Sequence, residues 1–405
     1  MLVLAGSADG HGAVAGRRVV VTGIGVVTSC GIGAHDFWQG LMSAPPAGRS
    51  LPVKDFDASG LYSTKELRRL DRFTALAGVA AEEAMNDAGG VDAVRGDPDR
   101  AGTLIGTGVG GLETIEQQHG VLMGKGPGRV TPFLVPMIMA NRASADISMR
   151  YGLRGPCETI VTACAAGTQS IANAGRLIAM GQCDVMVAGG TEAPLTGLGM
   201  AGFGNMTALS TSGVSRPFDI ARDGFVIGEG AGVVVLEERS RAIARGARIY
   251  AELAGAASTA DAHHITAPSP DGAGAARCIE LALADAQVQP GEVVHVNAHG
   301  TSTPLNDAAE GKAILKVFGS PGPAVTSIKG VIGHTLGAAG AIEVAAVALS
   351  FLHKQIPPTV GTANLDPAIP IDLVTGGPRP WQPGPTLSNS FGFGGHNGCL
   401  VLLPA

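Results

Sequence analysis

The chain has 405 residues, enough for two core-bearing units or one large duplicated one. With 45% hydrophobic, 15% charged and 4% aromatic residues and 61 glycines, it reads as a compact globular protein and excludes disordered and fibrous classes. The net charge of −6 gives no reason to expect nucleic acid, and no apolar run is expected to approach the ~18 residues of a membrane span.

Residues 1–17 are Gly/Ala-rich, with Asp9 and one histidine, His11, and lack the basic start and apolar core of a signal peptide. They are expected to form a disordered tail. A strand at 18–22 opens the first unit. The capping-box spacing of Ser63-Thr-Lys-Glu66 introduces the strongest predicted helix, 65–88. Along it Lys65, Arg68, Arg69 and Arg72 recur at spacings of three and four, which predicts one basic face, whether merely solvated or a docking surface for an acidic partner.

A strand at 102–105 runs into Gly106-Thr-Gly-Val-Gly-Gly111, which satisfies the dinucleotide pattern G-x-G-x-x-G. No acidic residue follows near Thr131, so a nucleotide site is rejected. A β-rich run at 158–162 then leads to Cys164, and the small residues of 165–179 read as a helix. A thiol in the first turn of a helix faces unpaired N–H groups and the helix dipole, which favour the thiolate. A strand-to-helix turn is also how a covalent nucleophile is presented. Alone, such a cysteine is more often a buried apolar residue. Strands at 184–188 and 232–237 follow.

The second unit offers strands at 293–297, 324–328 and 399–403. His299 lies at a strand end in Asn297-Ala-His-Gly-Thr-Ser-Thr-Pro304. Lys329 and His334 stand five apart, before a small-residue helix that runs to Phe351. Asn389-Ser-Phe-Gly-Phe-Gly-Gly395 is a glycine loop holding Phe393. Strand, reactive residue and small-residue helix thus occur twice, and each half closes with Gly-Phe, glycines and an apolar strand. The echo predicts two similar α/β halves meeting near residue 250.

Cysteines at 30, 157, 164, 183, 278 and 399 have no metal or redox spacing, which argues for reduced thiols in a cytoplasmic protein. His295 and His299 would lie roughly 13 Å apart on a strand, too far for one ion. His263-His264 has no further ligands beyond Asp261. No metal site is expected.

Taken together, Thr162-Ala-Cys-Ala-Ala-Gly167, Asn297-Ala-His-Gly-Thr-Ser-Thr-Pro304, Gly333-His-Thr-Leu-Gly-Ala-Ala-Gly-Ala341 and Asn389-Ser-Phe-Gly-Phe-Gly-Gly395 resemble the β-ketoacyl-[acyl-carrier-protein] synthases. These are the decarboxylating condensing enzymes of the thiolase superfamily, and the resemblance runs from about Arg18 to the C-terminus. It implies a thiolase-like, duplicated five-layer α-β-α-β-α fold. Residues 18–255 would carry the nucleophile and a dimer interface, and 256–405 the catalytic His and Lys and a gating loop.

The resemblance also implies roles. Cys164 would accept an acyl chain from acyl carrier protein, with the N–H groups of Cys164 and Phe393 as oxyanion hole. His299 and His334 would stabilise the enolate left by malonyl decarboxylation. Lys329 would supply positive charge, with Glu343 and Asp307 supporting it. Thr301 and Thr303 match positions that bind the phosphopantetheine arm, which the carrier brings, so no resident cofactor is implied. Phe393 matches an aromatic gate, and Phe203 and Val109 match positions that bound the acyl chain. Lys65, Arg68, Arg69 and Arg72 would dock the acidic carrier.

A thiolase would need a second reactive cysteine in the glycine loop, where this chain has Phe393 and His396, and Cys399 reads as core. His334 excludes a condensing enzyme that pairs its cysteine with His and Asn. Cys164 argues against a non-catalytic chain-length factor. Residues 42–55 look shorter than in housekeeping synthases, and Thr207 replaces a common carrier-docking arginine. With Thr303-Pro-Leu-Asn-Asp307 and Lys329-Gly-Val-Ile-Gly-His334, these departures lean towards type II polyketide, polyene-like elongation beside a chain-length factor. The alternative is fatty-acid elongation by a homodimer.

Overall fold

The computed structural model describes residues 16–320 and 322–405. The tail expected at 1–17 falls outside it up to residue 15. Arg17 belongs to the folded body, since it pairs with Asp184 and donates to the Cys183 carbonyl at 3.0 Å.

Ten strands carry two repeated sheets. The first half holds β1 (Val19–Thr28), β2 (Ala101–Gly106), β3 (Cys157–Glu158), β4 (Val185–Glu192) and β5 (Gly230–Glu238). The second holds β6 (Ala251–Ala260), β7 (His295–Asn297), β8 (Ala324–Thr326), β9 (Thr386–Gly392) and β10 (His396–Pro404). The order is β3-β2-β4-β5-β1 in one and β8-β7-β9-β10-β6 in the other, the same path twice. Parallel and antiparallel pairings also correspond: β2 lies parallel to β4 as β7 does to β9, and β1 antiparallel to β5 as β6 does to β10. The predicted duplication is therefore present in the topology. A short antiparallel pairing of Val19–Val21 with Ala251–Leu253 joins the sheets. The seam between halves lies before Ala251; a boundary at 255/256 would cut β6.

Five helices form the layers: α1 (Arg72–Asp87), α2 (Ala166–Ala179), α3 (Ala273–Ala286), α4 (Pro304–Phe318) and α5 (Ala339–His353). Helix α1 covers β1 and β5 on one outer face, and α3 covers β6 and β10 on the other, with α4 beside it. Helices α2 and α5 lie between the sheets and touch both. Small residues let them do so. A Cβ on Gly340 would sit 1.9 Å from Thr168 Oγ1, and one on Gly167 would sit 2.8 Å from the Gly337 carbonyl. The stretch Leu336–His353, with a mean hydropathy of 1.6 over 18 residues, is apolar and long enough for a membrane span, contrary to the expectation from sequence. It is 89% buried inside the protein, because a central-layer helix is apolar all round.

Strand β1 runs six residues past its predicted end at Thr22. All ten of its residues are buried, and full burial of each Val or Ile among them contributes about 1.5–3 kcal/mol. The predicted helix 65–88 is broken. Ser63 and Glu66 form their capping box on Thr64–Leu67. The chain then turns, and Asp71 caps α1 by accepting from Phe73 N–H at 3.2 Å. The four basic residues therefore share no helical face. Arg72 turns inward to pair with Glu229 (Nε to Oε2, 2.7 Å), Arg69 stacks over Phe133, and Lys65 and Arg68 are exposed. The β-rich run before Cys164 is likewise only partly strand: pairing ends at Glu158, at the sheet edge, and Val161 is exposed.

Candidate active site

The nucleophile candidate sits in a tight 3-10 turn, Ala163–Ala165, that feeds α2. Ala163 takes a left-handed backbone (φ 51°), which costs about 1–3 kcal/mol and survives only where packing enforces it. The turn aims Cys164 into a cavity of ≈ 540 Å³, with its Sγ 3.0 Å from His334 Nε2. The expected thiolate is not what the surroundings favour. Burial pushes the Cys164 thiol up to about 12, and the charge of Glu192 adds to this. Lys329 and the N–H groups of Phe393 and Cys164 pull the other way. A helix terminus stabilises an anion by only about 0.3–1 kcal/mol, too little to offset full desolvation. The resting group is a thiol beside an imidazole.

Both histidines are neutral. Burial holds His334 well below the ordinary histidine value, and the charge of Lys329 adds to it. The same two causes, with His334 third, act on His299. His299 follows β7, and its ring stands 5.2 Å from that of His334, nearly perpendicular to it. Its Nδ1 lies 3.4 Å from Lys329 Nζ. An ammonium has donors only, so Nδ1 accepts and the His299 proton is assigned to Nε2. Lys329 is fully buried and paired with Glu343, whose carboxyl burial raises to about 7 against the pull of Lys329. The ammonium thus fixes a tautomer and is itself held by a carboxylate.

The glycine loop after β9 brings Phe393 to the cavity wall, half-buried, with its N–H at the Cys164 sulfur. Gly392 makes this approach possible: a Cβ there would lie 3.1 Å from Cys164 N. Thr301 and Thr303 line the same cavity and share a hydrogen bond of 2.9 Å. Phe203 lines it with Phe225, whose ring meets His334 edge-on at 5.2 Å. Thr207 is at the wall as well.

Two expected residues lie elsewhere. Asp307 touches neither histidine nor Lys329; it accepts the Phe218 N–H at 2.7 Å and faces Arg222 at 4.0 Å, because its turn of α4 points to that loop. Val109 is not on the cavity wall of this chain. It is 43% exposed, and its amide donates to Glu192 at 3.2 Å. Two residues went unread. Glu310, one turn along α4 from Asp307, accepts from the N–H groups of His299 (2.8 Å) and Gly300 (2.7 Å). Glu192 ends a strand that is otherwise apolar and small, a signal that could have marked it. Cys399 is fully buried in β10, where it cannot serve as a second reactive cysteine, and the ring of His295 packs edge-on against Trp381.

Comparisons with known proteins agree with this geometry. The family profile described as "Beta-ketoacyl synthase, N-terminal domain" matches residues 53–242, and "Beta-ketoacyl synthase, C-terminal domain" matches 250–363. The chain is 46% identical to the 3-oxoacyl-[acyl-carrier-protein] synthase 2 of Synechocystis sp., over 95% of this chain and 98% of that one. Among solved structures, the ishigamide ketosynthase/chain length factor superposes with a TM-score of 0.91 at 35% identity, covering 96% of this chain and 100% of that one. A type II polyketide ketosynthase solved with its acyl-carrier protein, AntDE:AntF, gives 0.87 at 33%, with the same coverage. The Cys164 turn, paired histidines, buried lysine and both profiles coincide, and the chain belongs to the β-ketoacyl synthase family of ketosynthase enzymes.

Proposed function

We propose that this ketosynthase acts as an acyltransferase, moving an acyl chain from acyl carrier protein to Cys164 and condensing it with malonyl-acyl carrier protein to give the 3-oxoacyl product. The observation that supports this most is the placement of the Cys164 thiol 3.0 Å from a neutral His334, with His299 held in one tautomer by Lys329 beside it.

In the loading step the Cys164 sulfur attacks the thioester carbonyl and the thiol proton passes to the departing pantetheine sulfur. His334 is therefore not needed as a base and keeps the Nε2–H that it donates later. The pantetheine sulfur leaves with that proton, so no net charge remains in the cavity. Oxyanion charge falls on the N–H groups of Cys164 and Phe393, which a dry, fixed site makes effective. Malonyl thioester then occupies the arm channel past Thr301 and Thr303. Carbon dioxide departs, and the electron pair passes to an enolate whose oxygen accepts from His299 Nε2–H and His334. Neutral donors suit this step, since each gives up hydrogen-bond energy only as negative charge develops. The carbanion attacks the acyl-Cys164 carbonyl, and collapse releases the Cys164 sulfur, which takes up a proton from solvent to restore the thiol. The reading needs no resident cofactor, because the phosphopantetheine arm arrives with the substrate, and it places the reaction in the cytoplasm.

Identity of 46% over 95% of the chain to a 3-oxoacyl-[acyl-carrier-protein] synthase 2 favours the fatty-acid type of elongation, for which a homodimer is the expected assembly. The likeness to ketosynthase/chain length factor pairs favours the second reading, polyketide elongation with such a partner. Co-purification of a ketosynthase-like chain lacking the cysteine would decide for the latter. The catalytic assignment is tested by His299→Ala and His334→Ala. Each should still load acyl groups on Cys164 and lose malonyl decarboxylation; normal decarboxylation in both would overturn it.

A further inference from the structure

The duplication makes a second elbow. The turn Leu336–Ala338 precedes α5 as Ala163–Ala165 precedes α2, and both open on a non-glycine residue in the left-handed region, Ala163 (φ 51°) and Leu336 (φ 46°). Gly337 is therefore the counterpart of Cys164. The strand that faces each elbow comes from the other half. Opposite Cys164, β9 ends at Gly392, and the missing side chain leaves the Cys164 amide open to the cavity. Opposite Gly337, β4 ends at Glu192, and its carboxylate occupies the corresponding space.

Glu192 is fully buried, and its carboxylate meets four donors. Oε2 accepts from Gly337 N–H at 3.0 Å and Gly108 N–H at 2.6 Å. Oε1 accepts from the Thr107 hydroxyl at 2.8 Å and Val109 N–H at 3.2 Å. The loop 107–109 follows β2 as the His299 loop follows β7, so each elbow is closed by equivalent elements. A Cβ on Gly337 would stand 2.7 Å from Glu192 Oε2, which is why no side chain stands where the other elbow carries its thiol.

We propose that Glu192 is the built-in carboxylate ligand of a second oxyanion-type pocket, and that by filling it Glu192 positions the segments that carry His334 and Cys164. With the Glu192 side chain removed, the same four donors would take a small carboxylate in its place. Its reach to the site is short. Gly337 lies three residues from His334, Leu336 lines the cavity beside Cys164, and a Cβ on Gly108 would lie 3.7 Å from Ala163 Cα. Glu192 is a positioning residue, since it touches no reacting atom.

The test uses the full-length Glu192→Ala variant titrated with sodium formate against sodium chloride. Formate should raise its thermal midpoint saturably while leaving wild type unmoved. This binding readout stands apart from the synthase activity on which the positioning half rests. Malonyl decarboxylation by the variant should fall roughly 10- to 100-fold in kcat with little change in KM, as loss of hydrogen bonds to a charged group implies, and formate should restore most of it. Glu192→Gln keeps the pocket filled and should not respond to formate. If Glu192→Ala does not fold alone, its refolding yield in formate against chloride reads the same pocket. Absence of any effect specific to formate, full activity of Glu192→Ala without it, or rescue of Glu192→Gln would each overturn the proposal. A dead wild type with a formate-responsive variant would instead count against the synthase reading.

Discussion

Replacing Glu310 by Gln isolates the carboxylate that holds the backbone of His299. Glu310 is fully buried, and both its oxygens accept main-chain N–H groups. Burial raises its carboxyl to about 7 despite those bonds, with Asp307 adding to the rise. The folded protein thus binds a proton on Glu310 more tightly than the unfolded chain, whose glutamate titrates near 4.5. Stability from this group is fully present below 4.5 and is lost as the pH rises through about 7. At 1.36 kcal/mol per pH unit the change across that window is about 3 kcal/mol. Gln cannot titrate, so Glu310→Gln should be most destabilising, relative to wild type, at the acid end. The difference should shrink by about 3 kcal/mol by pH 8. His299 and His334, depressed by burial, lose stability as pH falls below 6.5, but they do so in both proteins and cancel. Urea unfolding of the pair at matched concentration, from pH 4.5 to 8, reads the difference directly. A flat difference, or one that grows with pH, would show that the two N–H bonds outweigh desolvation and would refute the reasoning.

Alkylation of Cys164 by iodoacetamide should keep accelerating through pH 9, as expected of a thiol pushed up to about 12; a plateau near neutrality would mean a stabilised thiolate. Lys329→Met leaves Glu343 buried without its partner and His299 Nδ1 without its donor. Decarboxylation should fall roughly 10- to 100-fold while acyl loading changes little, and an equal loss in both steps would contradict the tautomer argument. Gly340→Ala forces a Cβ to 1.9 Å from Thr168 Oγ1 between the central helices, so unfolding should show a loss of about 1–3 kcal/mol; an unchanged midpoint would mean the helices are not in tight contact.

The four residues that meet at the candidate site, Cys164, His299, Lys329 and His334, were legible because each is embedded in glycines and small residues that serve close approach, a pattern visible in one dimension. The second half was legible from its repeat of the first. Strands β6 and β9 escaped notice because Ala251–Ala260 is built of small residues and Thr386–Gly392 of polar ones, neither with strong β preference. The break at 68–71 was hidden because Asp71 as a second cap competes with a continuous helical pattern. Asp307 and Glu310 share one helix three residues apart, and only the packing of α4 against the His299 loop decides which carboxylate turns towards it. Glu192 meets Gly337 of the other half and Val109 far along its own, contacts that no local spacing records.

The central claim is that Cys164 carries the acyl chain. Intact-protein mass after incubation with medium-chain acyl-[acyl-carrier protein], wild type beside Cys164→Ala, tests it most directly. An acyl-sized increment on wild type alone, discharged when malonyl-[acyl-carrier protein] is added, is the expected result. An increment on Cys164→Ala, or none on wild type even with a chain-length-factor partner present, would contradict it.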